Sequence, residues 1–426
     1  MEPLIRWLYT GLYTLLSPLV LLALCARADA RRRLPEYLAG APRRAPGPLS
    51  ERTGRPRVWL HAVSVGEALS ALPVLAELRR AWPAMEVHLT STIEDALVVA
   101  LRSGAPFASA RFLPLDLPPL MRALADRLQP DLVLVSETDY WPNMLFALAA
   151  RGVPVFLVNG RVSYKIAGLF SRLGAFSRAM FSCFTHAFVQ TPTDAARLAA
   201  LGLAPAAVTV AGNTKYEASL RDLPPGDHDA QVAQVLADPR PRLVAGSTHP
   251  GEEALALTAA RASAALLVLA PRDVRRAPEV AALARAAGLA PVLFSALTPG
   301  ALAAAGAVVV DVLGVLPRLY ERAAVAFIGG SFDGSGGHNF LEAARFAVPC
   351  VCGPKMRNFA DDVAGFLAGD ALVQAASESA AAQALAVLVT DRPRATQIGA
   401  SGARLLRAHQ GAAALTAEAI RARVTR

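Results

Sequence analysis

Short apolar runs alternate with longer Ala- and Leu-rich amphipathic stretches along most of this chain. The first series of runs covers 58–62, 87–90, 132–136, 153–158, 187–190 and 208–211. A polar, Pro-rich passage, Arg221 to Arg242, interrupts it, and a second series follows at 243–246, 265–270, 292–294, 307–310, 324–328 and 348–352. Runs of this length, apolar at nearly every position, are strands buried on both faces, and the stretches between them read as helices. The pattern therefore predicts two parallel α/β sheets, each a doubly wound domain, with a cleft between them. The chain from Glu378 onward is Ala-rich and reads as helical.

In an open α/β sheet, ligands bind beyond the carboxyl ends of the strands, so polar residues directly after an apolar run are site candidates. That filter selects Ser64 and Glu67, Glu137 and Asp139, Asn159 and Arg161, and Asn213 and Lys215 in the first series. In the second it selects Ser247, Thr248 and His249, then Arg272, then the loop opened by Gly329, Gly330 and Ser331.

Composition changes the picture at the N-terminus. Of the 426 residues 54% are apolar, and Trp7 to Ala26 holds no charge, which is long enough to span a bilayer core. Arg27, Arg31, Arg32 and Arg33 follow it, and Trp7, Tyr9 and Tyr13 suit a membrane interface, so the rest of the chain is expected on the cytoplasmic side. A cleaved signal peptide is the competing reading, because Ala28-Asp29-Ala30 has the small-x-small pattern of a cleavage site. The expected layout is an anchor and basic flank at 1–33, a linker at 34–56, and a first domain at 57–220. An interdomain linker at 221–241 and a second domain at 242–426 complete it.

The net charge of +9 comes almost wholly from arginine, since Lys165, Lys215 and Lys355 are the only lysines. Such a bias is weak evidence for nucleic acid, and none is expected as a partner. Cys25, Cys183, Cys350 and Cys352 fit no zinc or redox spacing. There is no HExxH, no Walker GK[ST] and no G-x-S-x-G elbow, which disfavours a metalloprotease, a P-loop enzyme and a serine hydrolase. No metal site is expected.

Three stretches carry candidate chemistry. FIGGSFDGSGGHNFLEAA, 327–344, leaves a strand, passes five glycines and enters a helix near Asn339, offering free N–H groups to an anion. Glu342, about one turn into that helix, is placed to bond a ribose diol. SETDYWPN, 136–143, puts Glu137 and Asp139 beyond a buried strand, either complementing a helix dipole or sharing a proton, with Trp141 as a wall. In HAVSVGE, 61–67, Glu67 faces the same two readings: a dipole-complementing acid or a general base.

Together these stretches resemble one family, the 3-deoxy-D-manno-octulosonic acid (Kdo) transferases of lipopolysaccharide assembly. The resemblance rests on HAVSVGE, ETDYWPN, NGRVS at 159–163, GNTKYE at 212–217, GSTHPGEE at 246–253, Pro271-Arg272, GGHNFLEAA at 336–344 and GPKMRNF at 353–359, in that order. It implies a membrane-associated GT-B glycosyltransferase that moves Kdo from CMP-Kdo onto the lipid A precursor, lipid IVA, with inversion and without cofactor or catalytic metal. It implies Glu67 as catalytic base and Glu137 as a second essential acid. Arg272, Gly337, His338, Asn339 and Glu342 would bind the CMP-sugar, with Asn213 and Lys215 nearby. The implied location is the cytoplasmic face of the inner membrane, against anionic lipids. Asp139, Glu217, Asp273 and Ala343 depart from the family's usual Glu, Asp, His and Pro. The alternatives are a GT-B enzyme or epimerase for another nucleotide sugar, and an inactive lipid-A-binding membrane protein.

Overall fold

Every residue of the strand Arg57–His61 (β1) is buried, as a strand covered by helices on both faces requires. In this computed structural model, which describes residues 8–18, 54–223 and 226–424, β1 is central in a seven-stranded sheet. Its other strands are β2 (Glu86–Ser91), β3 (Ser109–Phe112), β4 (Leu132–Ser136), β5 (Val155–Gly160), β6 (His186–Val189) and β7 (Val208–Val210). The order is β3-β2-β1-β4-β5-β6-β7, and each neighbouring pair is parallel. Alternation along the strands feeds two cores. Val58, Leu60, Leu132 and Leu134 pack on one side of the sheet, and Trp59, Val133 and Val135 on the other.

The second sheet comprises β8 (Arg242–Thr248), β9 (Leu266–Pro271), β10 (Pro291–Leu293), β11 (Ala307–Val309), β12 (Val325–Ile328), β13 (Cys350–Cys352) and β14 (Val373–Gln374). Its order is β10-β11-β9-β8-β12-β13-β14, again parallel throughout. In each sheet the winding direction reverses beside the central strand, between β1 and β4 and between β8 and β12. Crevices open at such switch points, beyond the strands' carboxyl ends. The loops after β1, β4, β8 and β12 carry HAVSVGE, SETDYWPN, GSTHPGEE and the glycine-rich stretch.

The expected two-sheet α/β architecture is present, and the apolar runs fall on its strands. Two strands carry no such signal. In β3 the residues Ser109 and Arg111 are buried, with the Ser109 hydroxyl 2.8 Å from Nδ1 of His88, so polar side chains mask the strand. β14 is only two residues long.

The boundaries also differ from the expected ones. The chain divides into one unit made of 1–221 with 409–426, and a second made of 222–408. The passage expected as a linker at 221–241 contains the helix Asp229–Ala237, whose Val232 and Val235 are fully buried in the second unit. The last helix, Ala412–Val424, was expected in the second domain. It belongs to the first unit because Ala413, Ala417 and Ile420 enter the core under the helix Val65–Ala81. The Glu217 carboxylate accepts from the N–H groups of Gly411 (2.7 Å) and Ala413 (3.1 Å) at its start.

Of the expected anchor and basic flank at 1–33, residues 1–7 and 19–33 lie outside the described residues, as do residues 34–53 of the expected linker. Residues 8–18 form a helix. Its Tyr9 ring rests on Phe176 with centroids 4.7 Å apart, and the Thr10 hydroxyl donates to Asn143 (3.1 Å). Its other face turns Leu8, Leu12, Leu15 and Leu16 to solvent. Among the described residues no helix is long and apolar enough to cross a membrane.

Candidate functional site

In the first unit, Ser64 caps the helix Val65–Ala81 through a capping box, the S-x-x-E pattern in which each end satisfies the other's backbone N–H. The Ser64 hydroxyl accepts from Glu67 N (3.2 Å). In return Oε2 of Glu67 accepts from Val63 N (2.8 Å) and Ser64 N (3.3 Å). Both bonds go to one oxygen, which leaves Oε1 for another partner. Burial and then the Glu137 carboxylate raise the Glu67 pKa, against the pull of those N–H groups.

Glu137 follows β4 with a left-handed backbone, φ 56°, and lies almost wholly buried. That conformation is uncommon outside glycine and Asn. Here it is held by Glu137 N donating to Val158 O (3.0 Å) and Arg161 N donating to Glu137 O (3.2 Å). The carboxylate accepts from Lys215 Nζ (2.8 Å), Asn159 Nδ2 (3.2 Å) and the Ser70 hydroxyl (3.3 Å). Asn159 is itself left-handed (φ 52°) and accepts Thr214 N on Oδ1 (3.0 Å). Oδ1 of Asn213 accepts Lys215 N (3.0 Å), and the Thr214 hydroxyl donates to Ser70 O (2.7 Å). The loops after β1, β4, β5 and β7 thus meet in one hydrogen-bonded cluster. It contains Ser64, Glu67, Glu137, Asn159, Asn213 and Lys215, with Arg161 joined through its backbone.

Asp139 adds a third carboxyl. Burial and the charges of Glu67 and Glu137 push it up to about 8, so it carries its proton at neutrality. Its Oδ2 lies 3.5 Å from Nε2 of His61, a buried imidazole whose Nδ1 is 2.9 Å from the Thr90 hydroxyl. Burial lowers His61 to about 4 and keeps it neutral. Sequence reasoning missed Ser70 and the His61–Asp139 pair, although the S-x-x-E capping box was there to read.

In the second unit, Ser247 is left-handed (φ 55°) where the register of β8 against β9 shifts. A side chain on Gly329 would collide with its carbonyl, so the two loops touch backbone to backbone. The Thr248 hydroxyl donates to Glu253 (2.9 Å), and Thr248 O accepts from Arg272 N (3.0 Å).

The glycine-rich stretch differs from its expected role as a source of free N–H groups. The buried Glu252 carboxylate accepts from His249 N (3.0 Å), Gly330 N (2.7 Å), Ser331 N (2.9 Å) and Phe332 N (3.0 Å). Gly337 N and His338 N donate to the carbonyls of Gly330 (2.8 Å) and Gly329 (3.2 Å). The helix that follows, Leu341–Ala344, is a single turn. Gly337 is required sterically, because any Cβ at its φ of 79° would run into Met356.

The side chains expected to bind the donor, His338, Arg272, Asn339 and Glu342, interact with one another here. Nε2 of His338 is 2.9 Å from Nε2 of His249, whose Nδ1 is 2.8 Å from the Asp333 carboxylate. Asn339 Nδ2 donates to Glu342 (3.3 Å). Burial raises Glu342 to about 7, opposed by Asn339 and by the positive charges of Arg272 and Arg345. Burial, followed by Arg272 and His249, lowers His338 to about 4. Among the described residues no group of His, Cys, Asp and Glu could hold a metal ion.

The family model for 3-deoxy-D-manno-octulosonic-acid transferase (kdotransferase) matches residues 32–218. The 3-deoxy-D-manno-octulosonic acid transferase of Bordetella pertussis is 33% identical over 96% of this chain and 98% of its own. The transferase of that description from Haemophilus influenzae is 28% identical over 96% of each. Among solved structures, the UDP-GlcNAc 2-epimerase of Neisseria meningitidis bound to UDP-GlcNAc shares the fold at a TM-score of 0.59. It is 14% identical and covers 87% of this chain and 99% of its own. With nearly full-length identity of one residue in three to a curated relative, this chain belongs to the 3-deoxy-D-manno-octulosonic acid transferase family.

Proposed function

We propose that this chain is a GT-B glycosyltransferase that moves Kdo from CMP-Kdo to the lipid A precursor lipid IVA in lipopolysaccharide assembly, with inversion. The carrying observation is Glu67: a carboxylate of raised basicity, fixed through Oε2, with Oε1 open for an acceptor hydroxyl. As the acceptor oxygen forms its bond to the sugar's anomeric carbon, Glu67 takes the hydroxyl proton. The bond from that carbon to the phosphate oxygen breaks, its electron pair leaves with CMP, and positive charge develops on the sugar as in glycoside hydrolysis. Glu137, paired with Lys215, holds the acid cluster and the acceptor, and its charge raises the basicity of Glu67.

The first unit is assigned the acceptor and the second the donor, through Arg272, Gly337, His338, Asn339 and Glu342 next to Ser247 and Thr248. Arg272 meets the phosphate charge, and no metal or cofactor is part of the proposal. The chain is assigned to the cytoplasmic face of the inner membrane, held by its N-terminal segment and basic flank. Supporting this, the outward leucines of residues 8–18 are joined by exposed Tyr164, Leu169 and Leu173 on and beside the helix Tyr164–Arg172, which also carries Lys165 and Arg172. Apolar side chains interspersed with cations suit an anionic lipid surface.

The test is turnover of CMP-Kdo with lipid IVA, followed by mass spectrometry of the lipid product. Kdo-bearing lipid is expected from the wild-type chain, and its formation is expected to slow by roughly 10²–10⁴ in Glu67→Gln. Turnover of UDP-GlcNAc in place of CMP-Kdo would overturn the proposal.

A further inference from the structure

Asp333, His249 and His338 form a chain whose proton positions follow from its geometry. The Ser335 hydroxyl donates to Asp333 (2.6 Å) and the Ser335 N–H donates to the same carboxylate (2.8 Å). Asp333 is pushed up by burial, but these bonds and the two imidazoles outweigh that and hold it below the usual carboxylate range. An ionised carboxylate only accepts, so Nδ1 of His249, 2.8 Å away, carries a hydrogen. In a neutral His249, Nε2 is then a bare lone pair, and it faces Nε2 of His338 at 2.9 Å. That contact requires His338 to donate from Nε2, which leaves Nδ1 of His338 as an acceptor. Nδ1 has no hydrogen-bond partner among the described residues and is not among the atoms sealed from solvent without one.

An acceptor at that position repels a phosphate oxygen. We propose that Asp333 and His249 are positioning residues that turn His338 into a phosphate donor by taking up one proton when the nucleotide binds. The incoming proton attaches to Nδ1 of His338. The hydrogen between the rings passes from Nε2 of His338 to Nε2 of His249. The positive charge then rests on His249, against the Asp333 carboxylate, and Nδ1–H of His338 points its hydrogen at the phosphate. Arg272 also faces His338 and disfavours a second cation there. Because CMP departs with one more negative charge than the bound ester had, the relay stabilises the leaving group as well as the donor.

This rests on the assignment of CMP-Kdo to the second unit, and calorimetry with CMP separates the two. CMP is titrated into the full-length protein at about pH 7.5, above the second phosphate pKa of about 6, in buffers of different ionisation enthalpy. The wild type is expected to take up about one proton per CMP, its Kd rising up to tenfold per pH unit. Asp333→Asn and His249→Gln are expected to bind CMP without that uptake. Asp333→Asn alters only a partly exposed loop side chain, so it tests the relay even if His249→Gln fails to fold. CMP binding with buffer-independent heats, or unchanged uptake in Asp333→Asn, overturns the relay alone. Absence of CMP binding to the wild type overturns the donor assignment as well.

Discussion

Glu67 shows how one carboxylate serves two ends. Its capping bonds fix the start of the helix Val65–Ala81, and the same bonds orient the oxygen to which the proposed mechanism assigns the proton. Gln can still accept those N–H bonds through its amide oxygen but cannot take a proton. Glu67→Gln should therefore melt within about 1 kcal/mol of wild type and bind CMP normally, while kcat falls by roughly 10²–10⁴. Single-turnover kinetics beside a denaturation curve would check this. A variant that turns over at near wild-type rate removes Glu67 from the mechanism. Lys215 acts on stability instead. Lys215→Ala leaves the Glu137 carboxylate buried without its cation, and chemical denaturation should show a loss of about 3–5 kcal/mol.

At the scale of elements, Glu252 does for the second unit what no glycine can do. Its carboxylate draws four backbone N–H groups into one cradle and fixes the loop after β12 against the loop after β8. Glu252→Ala removes the acceptor from N–H groups that are buried, each worth about 1–3 kcal/mol. The second unit should lose several kcal/mol, and CMP affinity should fall with it. Glu252→Gln should recover part of both. The strands and their end-loops were legible in the sequence because buried parallel strands are apolar at nearly every position. The cradle was not legible, because three of its four donors lie some eighty residues from the acceptor. The close backbone approach read from the glycines is present, but the N–H groups of Gly329, Gly330 and Gly337 already have partners within the protein. For the last helix, an Ala-rich sequence signals a helix without saying which core it covers. Ile420→Ala tests that packing: a fully buried side chain in the first unit's core should cost about 2–5 kcal/mol, in the unfolding transition of the unit that holds Glu67.

Across the whole molecule, buried ionisable groups set a pH profile of stability. Asp116 and Glu342 are pushed up to about 7, and Asp139 to about 8, chiefly by burial. The folded chain keeps protons there that an unfolded chain releases near pH 4, so these groups lose stability as pH rises from about 4 to about 8. His61, His88, His186 and His338 are lowered to about 4, again chiefly by burial. They stay neutral in the fold while an unfolded chain protonates them, so they gain stability as pH rises from about 4 to 6.5. The two trends oppose each other below pH 6.5, and only the carboxyl loss remains above it. The thermal midpoint should therefore fall between about pH 6.5 and 8, and Asp139→Asn should flatten that fall. A midpoint that rises over this window would contradict the protonation states described for the acid cluster.

The return of residues 409–426 to the first unit sets an order of events at the ribosome. Domains generally fold as units while synthesis proceeds from the N-terminus. Here the uninterrupted second unit is complete when residue 408 emerges. The first unit, begun much earlier, still lacks the helix that closes its core over Val65–Ala81. The nascent chain thus carries a finished second unit while the first unit still awaits residues 409–426. A chain stopped at 408 should retain CMP binding and the cooperative unfolding of the second unit. The acid cluster gains its full support only once residues 409–426 cover the helix Val65–Ala81.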